Sequence, residues 1–294
     1  MRPKFDQEID PLSERDFRRF QRLIQRDSGI VLSDAKKALI PGRHNRRLRA
    51  LGLTSYGSYL EVVAGDDAER TRMIDCICTN ETRFFREPRQ FDFLDQEVLP
   101  QWNAMAQSGT MPRRVRAWSA ACSTGEEAFS VAMLLRTHFP VADGWRIDVL
   151  ASDLSTRALG SAHAGVWPIE RATDIPQHYR RAYMLRGVAE AEGTMRVRPE
   201  LQAMVEFRRI NLIDAAYAVD APFDLIFCRN VLIYFDRQTR DAVIARLIRL
   251  LVPGGLLFLG HAETITDAPA DLQHAGPAAY RRIRQHDLLE RSAS

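Results

Sequence analysis

Short apolar runs alternate with amphipathic segments along the chain after residue 107. The apolar runs are VRAWSA, RIDVLAS, MVEFRRI, FDLIFCR and GLLFLG. Between the last two runs, apolar residues from Val243 to Leu251 recur every three to four positions, the period of a helix that begins at Asp236. Strands that alternate with helices form βαβ units. The pattern therefore predicts an α/β fold whose mostly parallel sheet carries helices on both faces.

The alternation lapses between Trp167 and Val205, where proline, arginine and glycine interrupt it. This interval predicts an insertion over about residues 167–205, a small antiparallel sheet that includes TMRVRP. From Ser13 to about Ala106 the pattern is helical, with turn signals between short segments. We therefore expect a helical N-terminal domain with its linker over residues 1–106 and an α/β domain over residues 107–294.

Positive charge is concentrated in the first 52 residues. They hold 13 Lys and Arg against 7 Asp and Glu, a balance of +6, whereas the whole chain carries +3. Arg43, Arg46 and Arg47 fall at helical spacings and should share one face. That face is either a solvated surface or a docking surface for an acidic helix, and charge alone also permits nucleic acid. Docking would weaken as added salt screens the charges.

The sequence carries no signal for export or membrane insertion. Its start, MRPKFDQEID, has charges where a signal peptide needs an apolar core. The apolar run near the end is broken by Arg249, Pro253 and two glycines. The four cysteines do not form a metal-binding spacing. We expect a cytoplasmic protein that holds no metal.

Ligands of open α/β sheets bind beyond the carboxyl ends of the strands, where the strand order reverses. The residues that follow the predicted strands are Ser119 to Glu127, Asp153, Asn211-Leu212, Arg229-Asn230 and Gly260-His261. The first of these stretches resembles a phosphate-binding loop, but it has one glycine, and its two glutamates would repel a phosphate. A nucleoside with positive charge suits such a loop better. S-adenosylmethionine, which carries an adenosine, a sulfonium and an α-ammonium, is a ligand of this kind.

Two of these acidic residues have structural alternatives. Thr124 and Glu127 also fit a capping box, in which Glu127 reaches back to the first N–H group of its helix. Asp153 is placed to accept both ribose hydroxyls, or it is a solvated aspartate in a turn.

Five motifs, taken in order, closely resemble the CheR-type chemotaxis receptor methyltransferases. They are TNETRFFRE (79–87), WSAACSTGEE (118–127), ASDLS (151–155), FDLIFCRNVLIYF (223–235) and VPGGLLFLGHAE (252–263). The similarity covers roughly residues 15–285. It implies an all-α basic domain followed by a Rossmann-like class I methyltransferase sheet with an inserted antiparallel β-subdomain. It also implies methyl transfer from S-adenosylmethionine to glutamate side chains on the cytoplasmic helices of chemoreceptors, with S-adenosylhomocysteine as product.

The resemblance assigns roles to individual positions. Asn80, Thr82 and Arg86 should approach the methionine end of the cofactor, together with Glu127 in preference to Glu126. Asp153 would take the ribose, and Asn211 and Leu212 the adenine. Arg229, Asn230 and Tyr234 would surround the methyl group. Arg86 and Tyr234 are the predicted catalytic residues: Arg86 would orient a carboxylate, and Tyr234 would line the methyl channel.

Each catalytic assignment has a competitor. Arg86 could instead neutralise Glu87 or cap a helix end, and Tyr234 could be ordinary core. A glutamate carboxylate has a pKa of about 4.3 and is already ionised at neutral pH, so the predicted reaction needs no general base. A methyltransferase for nucleic acid or a small molecule is a second hypothesis, although we find no aromatic pocket for a flipped base. A non-catalytic adaptor that binds S-adenosylmethionine is a third.

Overall fold

The N-terminal part of the chain is a four-helix unit. The computed structural model describes residues 8–265, 269 and 271–283, so the ends of both predicted domains, 1–7 and 284–294, lie outside the described residues. The four helices are α1 (Glu14–Ser28), α2 (Leu39–Ala50), α3 (Tyr56–Gly65) and α4 (Asp67–Ile77). Ser13 caps α1, whose inner face buries Phe17, Phe20 and Ile24. The all-α N-terminal domain is confirmed.

A second helical segment joins this unit to the sheet. Helix α5 (Pro88–Phe93) continues through a π-helical turn (Leu94–Val98) into α6 (Leu99–Gln107). Its apolar side chains, such as Phe91 and Trp102, share one core with the sheet. Residues Leu12 to Ile77 form a separate core. The predicted domain boundary at 106/107 stays a prediction.

The rest of the chain alternates strands and helices as the sequence predicts. In chain order the elements are β1 (Arg114–Ala120), α7 (Glu126–His138), β2 (Arg146–Asp153), α8 (Thr156–Ala164), β3 (Val166–Pro168), α9 (Gln177–Tyr183), β4 (Met184–Arg186), β5 (Thr194–Val197), α10 (Pro199–Gln202), β6 (Val205–Arg209), β7 (Phe223–Cys228), α11 (Arg237–Arg249), β8 (Leu251–Leu259), β9 (Leu272–Gly276) and β10 (Ala279–Arg282). Helix α11 ends two residues earlier than predicted, because Leu251 already belongs to β8.

The main sheet has seven strands in the order β6-β2-β1-β7-β8-β10-β9. The first five are parallel, and β10 and β9 are antiparallel additions at one edge. From β1 the chain moves outward to β2 and β6, then returns to β7 on the other side. The strand order therefore reverses between β1 and β7, and a ligand site is expected above their carboxyl ends.

Both faces of the sheet are buried, which explains its continuous apolar runs. Trp118, Ile226 and Leu257 pack on one face with the buried residues of α11. The intervening residues Ala117 and Phe227 face the opposite core, which includes α7. This confirms the predicted α/β sandwich.

The predicted insertion is also present. Strands β3, β5 and β4 form a separate antiparallel sheet with β5 in the middle, and β5 is the predicted TMRV segment. The next strand, β6, already pairs with β2 of the main sheet. Among the described residues, no helix is both long and apolar enough to cross a bilayer.

Candidate active site

A cleft lies above the carboxyl ends of β1, β2, β6 and β7, the edge of a parallel sheet at which ligands bind. Its other wall comes from the helical domain, through Ser28, Ile30 and the segment 78–82 that follows α4. All ten predicted site residues line this one cleft: Asn80, Thr82, Arg86, Glu127, Asp153, Asn211, Leu212, Arg229, Asn230 and Tyr234. Their roles toward a cofactor stay predictions.

The loop after β1 turns sharply to bring α7 to the cleft. Ala121 and Ser123 have φ angles of 70° and 53°, a strained conformation for residues other than glycine. Gly125 follows with φ 97°, and a Cβ there would lie 3.0 Å from the Cβ of Ala162 on α8. The single glycine is therefore required for close packing of the loop on α8.

The Glu127 carboxylate is fixed by two partners and is only 7% exposed. Ser119 Oγ donates to its Oε1 at 2.6 Å, and Arg229 Nε donates to its Oε2 at 2.7 Å. The capping-box alternative is wrong, since Gly125 is the N-cap and Glu127 is committed to Ser119 on β1 and to Arg229, the residue after β7. Glu126 accepts from Thr124 Oγ1 and does not line the cleft.

Asp153 ends β2 and is 8% exposed. Its two oxygens accept the backbone N–H groups of Ser123 and Ser155, each at 2.8 Å. Burial raises the pKa of the Asp153 carboxyl, and these N–H groups oppose that rise. The solvated-turn alternative is therefore wrong. A carboxylate has about four acceptor sites, so each oxygen retains capacity toward the cleft.

Arg229 connects three segments of the site through a side chain that is 1% exposed. Besides Glu127, its guanidinium donates to the carbonyl of Arg86 at 2.7 Å and to Gln90 Oε1 at 2.8 Å. It also lies 3.6 Å from Glu87 Oε2. Two carboxylates thus balance its charge. Arg229 organises the wall of the cleft as well as lining it.

The segment between α4 and α5 is tied to the loop after β1 and to the insertion mainly through its backbone. The carbonyl of Asn80 accepts from Ser123 Oγ, and that of Thr82 accepts from Arg171. Arg86 Nη1 donates to the carbonyl of Glu81 at 3.0 Å. Since the ion-pair partners of Glu87 among the described residues are Arg229 and His261, the alternative that Arg86 neutralises Glu87 is wrong.

Asn211 and Tyr234 connect the sheet to the helical domain. Asn211 Nδ2 donates to the carbonyl of Asp27, at the end of α1, at 2.8 Å. The carbonyl of Tyr234 accepts the N–H of Val31, and its ring lies 5.6 Å from Lys36 Nζ. Tyr234 is half-buried at the cleft, so the alternative that it is ordinary core is wrong.

Two buried polar residues escaped the sequence prediction. Gln90 is fully buried and bridges Arg229 to the carbonyl of Leu259 on β8. Glu263 is 3% exposed and accepts backbone N–H groups from two loops. Gln90 lies three residues after one recognised motif and Glu263 is the last residue of another, but neither sequence position indicated a partner.

The predicted basic face is only partly available. Arg43 donates to the carbonyls of Cys76 and Ile77, the last turn of α4, and Arg47 forms a bidentate pair with the buried Glu69. Arg46 alone of the three is exposed. Pro41 lies in the first turn of α2. Backbone N–H groups of a first turn have no partner within the helix, so a proline there removes no helical hydrogen bond and the helix continues through it.

The chemistry of the lining fits a nucleoside that carries positive charge. Three carboxylates line the cleft, the buried Asp153 and Glu127 and the exposed Glu81. Its other lining residues include the apolar Ile30, Leu212 and Val231. Carboxylates at these positions disfavour a phosphate and favour hydroxyl or ammonium donors.

The comparisons with known proteins agree with this chemistry. The family model described as CheR methyltransferase, SAM binding domain, matches residues 80–280, and the CheR methyltransferase all-alpha domain matches residues 15–78. The chain is 41% identical to a chemotaxis protein methyltransferase of Salmonella typhimurium, over 92% of this chain and 90% of that one. It is 40% identical to the protein of the same name from Escherichia coli, over 92% and 91%.

A third relative, chemotaxis protein methyltransferase 2 of Pseudomonas aeruginosa, is 35% identical over 95% of this chain and 96% of its own length. Together the two family models cover most of the chain, in the same order as its helical and α/β parts. This chain therefore belongs to the CheR methyltransferase family.

Proposed function

We propose that this chain transfers the methyl group of S-adenosylmethionine to glutamate side chains of a chemoreceptor cytoplasmic domain. The products are glutamate methyl esters and S-adenosylhomocysteine. The observation that carries the proposal is the meeting of all ten predicted site residues in one cleft at the strand reversal. The names of the relatives, chemotaxis protein methyltransferases, support the receptor as substrate. Such a substrate places the enzyme in the cytoplasm.

The lining residues form two groups by their chemistry, one for the adenosine half of the cofactor and one for the methionine half. Asp153 would accept the ribose hydroxyls, with Asn211 and Leu212 beside the adenine. Glu127 would accept from the α-ammonium, held in place by Ser119 and Arg229. Asn80, Thr82 and Arg86 would complete the methionine end, with Arg229 and Asn230 beside the methyl group. The bound cofactor supplies an electrophilic methyl group on a sulfonium.

The protein then has to position the substrate rather than activate it. The substrate glutamate is ionised at neutral pH, so no residue has to remove a proton. Arg86 would hold the incoming carboxylate by a charge-assisted hydrogen bond, and the Tyr234 ring would limit its approach to the methyl carbon. Orientation of this kind contributes up to roughly 7–11 kcal/mol to a barrier. The half-buried positions of both side chains at the cleft suit that role.

The receptor docks, in this proposal, through Arg46 rather than through a face of three arginines. Arg43 and Arg47 are committed to α4, whereas Arg46 is exposed on α2. Arg46→Glu should weaken receptor binding by about tenfold at low salt and less at high salt, since exposed charges are screened. Arg249→Glu, the same change at an exposed position on α11, should leave binding unchanged.

Methyl transfer to a cognate receptor fragment tests the function. Label from S-adenosylmethionine should enter the fragment as a base-labile ester. Arg86→Ala should lower kcat by about a hundredfold, while Arg89→Ala, an exposed neighbour on α5, should not. Labelling of a nucleic-acid base instead would favour the second hypothesis. Tight cofactor binding with no transfer to any cognate receptor would favour an adaptor.

A further inference from the structure

The Glu263 side chain is a buried carboxylate whose partners are backbone N–H groups. Its Oε2 accepts from Asn230 and Gly260, both at 2.7 Å, and its Oε1 accepts from Ile233 at 3.2 Å. Within the described ranges, no Lys, Arg or His forms an ion pair with it. A buried carboxylate is costly unless its acceptors are satisfied, so these N–H groups are what makes its burial tolerable.

The N–H groups that Glu263 binds belong to two loops at the carboxyl end of the sheet. Gly260 follows β8, while Asn230 and Ile233 follow β7. The β7 loop needs support, because Asn230 has a φ of 58° and residues Leu232–Tyr234 form a single 3-10 turn. Its side chains at Asn230 and Tyr234 line the cleft, whereas Glu263 does not.

Gly260 shows how tightly the two loops meet. A Cβ at this position would lie 2.6 Å from Asn230 Nδ2 and 2.7 Å from Glu263 Oε2. It would also lie 2.9 Å from the backbone N of Asn230, which cannot move aside without moving the β7 loop. The β8 loop therefore fixes the β7 loop by direct contact as well as through the carboxylate.

We propose that Glu263 is a positioning residue for methyl transfer, which holds Asn230 and Tyr234 at the reacting end of the cleft. The inference rests on the proposed function. A carboxylate suits this role because it only accepts hydrogen bonds, and the loops present three donors. Asp153 and Leu212, at the ribose and adenine positions, make no hydrogen bond to Glu263. Loosening the β7 loop should therefore slow the chemical step more than it weakens cofactor binding.

Glu263→Gln tests the role with nearly the same side-chain volume. A glutamine oxygen can still accept from Asn230 and Gly260, but its NH₂ group then faces the N–H of Ile233. We expect kcat on the receptor fragment to fall by about ten- to a hundredfold, because small misplacements at a reacting centre are costly. The Kd for S-adenosylhomocysteine should change by less than about threefold.

Asp224→Asn is the matched control. Like Glu263, Asp224 has a carboxylate that accepts a backbone N–H group, from Arg116 at 2.8 Å. It is partly buried and lies at the start of β7, whereas the loop that Glu263 holds follows the end of that strand. Its kcat should stay within about threefold of wild type, even if its Tm falls. An equal loss of kcat in both variants would overturn the proposal, and so would a loss of cofactor affinity in Glu263→Gln as large as its loss of kcat.

A second pair of variants tests the positioning role of Glu263 if Glu263→Gln does not fold. Gly260→Ala keeps Glu263 itself but crowds its carboxylate and the backbone N of Asn230, so it should displace the β7 loop and lower kcat similarly. Gly160→Ala, where a Cβ on α8 would meet nothing within 4 Å, should not. Wild-type kcat in Gly260→Ala would refute the positioning role. If wild type itself methylates no receptor, the proposed function fails instead, so the two failures are distinguishable.

Discussion

Replacement of Asp153 by asparagine should weaken cofactor binding more than any other single change of similar size in the cleft. The carboxylate is 8% exposed, and each of its oxygens already accepts one backbone N–H at 2.8 Å. The remaining acceptor sites are those that two ribose hydroxyls would use. An asparagine has a single acceptor oxygen, and its NH₂ group would face the N–H of Ser123 or Ser155.

The size of the effect follows from the bonds that are lost. A hydrogen bond to a charged group contributes about 1.5–3 kcal/mol, so two of them contribute about 3–6 kcal/mol. Since each 1.4 kcal/mol is a factor of ten in Kd, Asp153→Asn should raise Kd by about a hundredfold to ten-thousandfold. Titration calorimetry with S-adenosylhomocysteine near neutral pH measures this directly.

Asp75→Asn is the control for this measurement. Asp75 is a nearby buried carboxylate that accepts from the N–H and hydroxyl of Thr156, and it does not line the cleft. An asparagine there can keep both contacts, so Kd should change by less than about threefold. The ribose assignment is refuted if Asp153→Asn binds as wild type does, or if both variants lose affinity equally.

The pH dependence gives an independent check of the same carboxylate. Burial raises the pKa of Asp153, so protonation begins at a higher pH than for an exposed aspartate. Cofactor affinity should therefore fall as pH falls through that raised pKa, because the protonated group loses acceptor strength. Asp153→Asn should lack this component of the pH dependence. The same acid-side loss in wild type and variant would contradict the reasoning.

Three further predictions concern the loop after β1 and the helical domain. Glu127→Gln can keep its contact with Arg229 while losing its charge, so S-adenosylhomocysteine binding should weaken by about tenfold; an effect under twofold would exclude an ammonium contact. Its Tm should also fall, because the buried Arg229 loses one of the two carboxylates that balance its charge. A hydrogen bond from Arg47 is the main reason that the pKa of Glu69 lies below its usual value. The ionised Glu69 therefore stabilises the fold above about pH 4.5, and this stabilisation is lost as pH falls through the pKa of Glu69 in the folded protein. Glu69→Gln should lower the free energy of unfolding in urea near neutral pH by about 1–3 kcal/mol, and that free energy should then depend less on pH in acid. Gly125→Ala should lower Tm and reduce the free energy of unfolding by about 1–3 kcal/mol, because Gly125 has a φ of 97° and a Cβ there would lie 3.0 Å from the Cβ of Ala162 on α8.

Local pattern was sufficient for much of the fold because the signals involved span only a few residues. Apolar residues that alternate with polar ones, or that form continuous runs, predict β1, β2, β6, β7 and β8. Apolar residues that recur every 3.6 positions predict α1 and α11. The lapse after Trp167 predicts the inserted sheet. Once the strands were placed, the rule for ligand sites in parallel sheets and the resemblance to a family selected ten residues that do meet in one cleft.

The sequence by itself thus determined which elements form and which side chains follow the strands. Tertiary structure alone decided what those side chains contact. Arg229 meets Glu127 across 102 positions, and Asn211 meets Asp27 across 184. A helical pattern could place Arg43, Arg46 and Arg47 on one helix but could not show that Arg46 alone of these three is exposed, since the partners of the other two lie on α4. Glu263 shows the same limit: its role depends on the N–H groups of Asn230 and Ile233, 33 and 30 positions away, which only the folded sheet brings within 3.2 Å of its carboxylate.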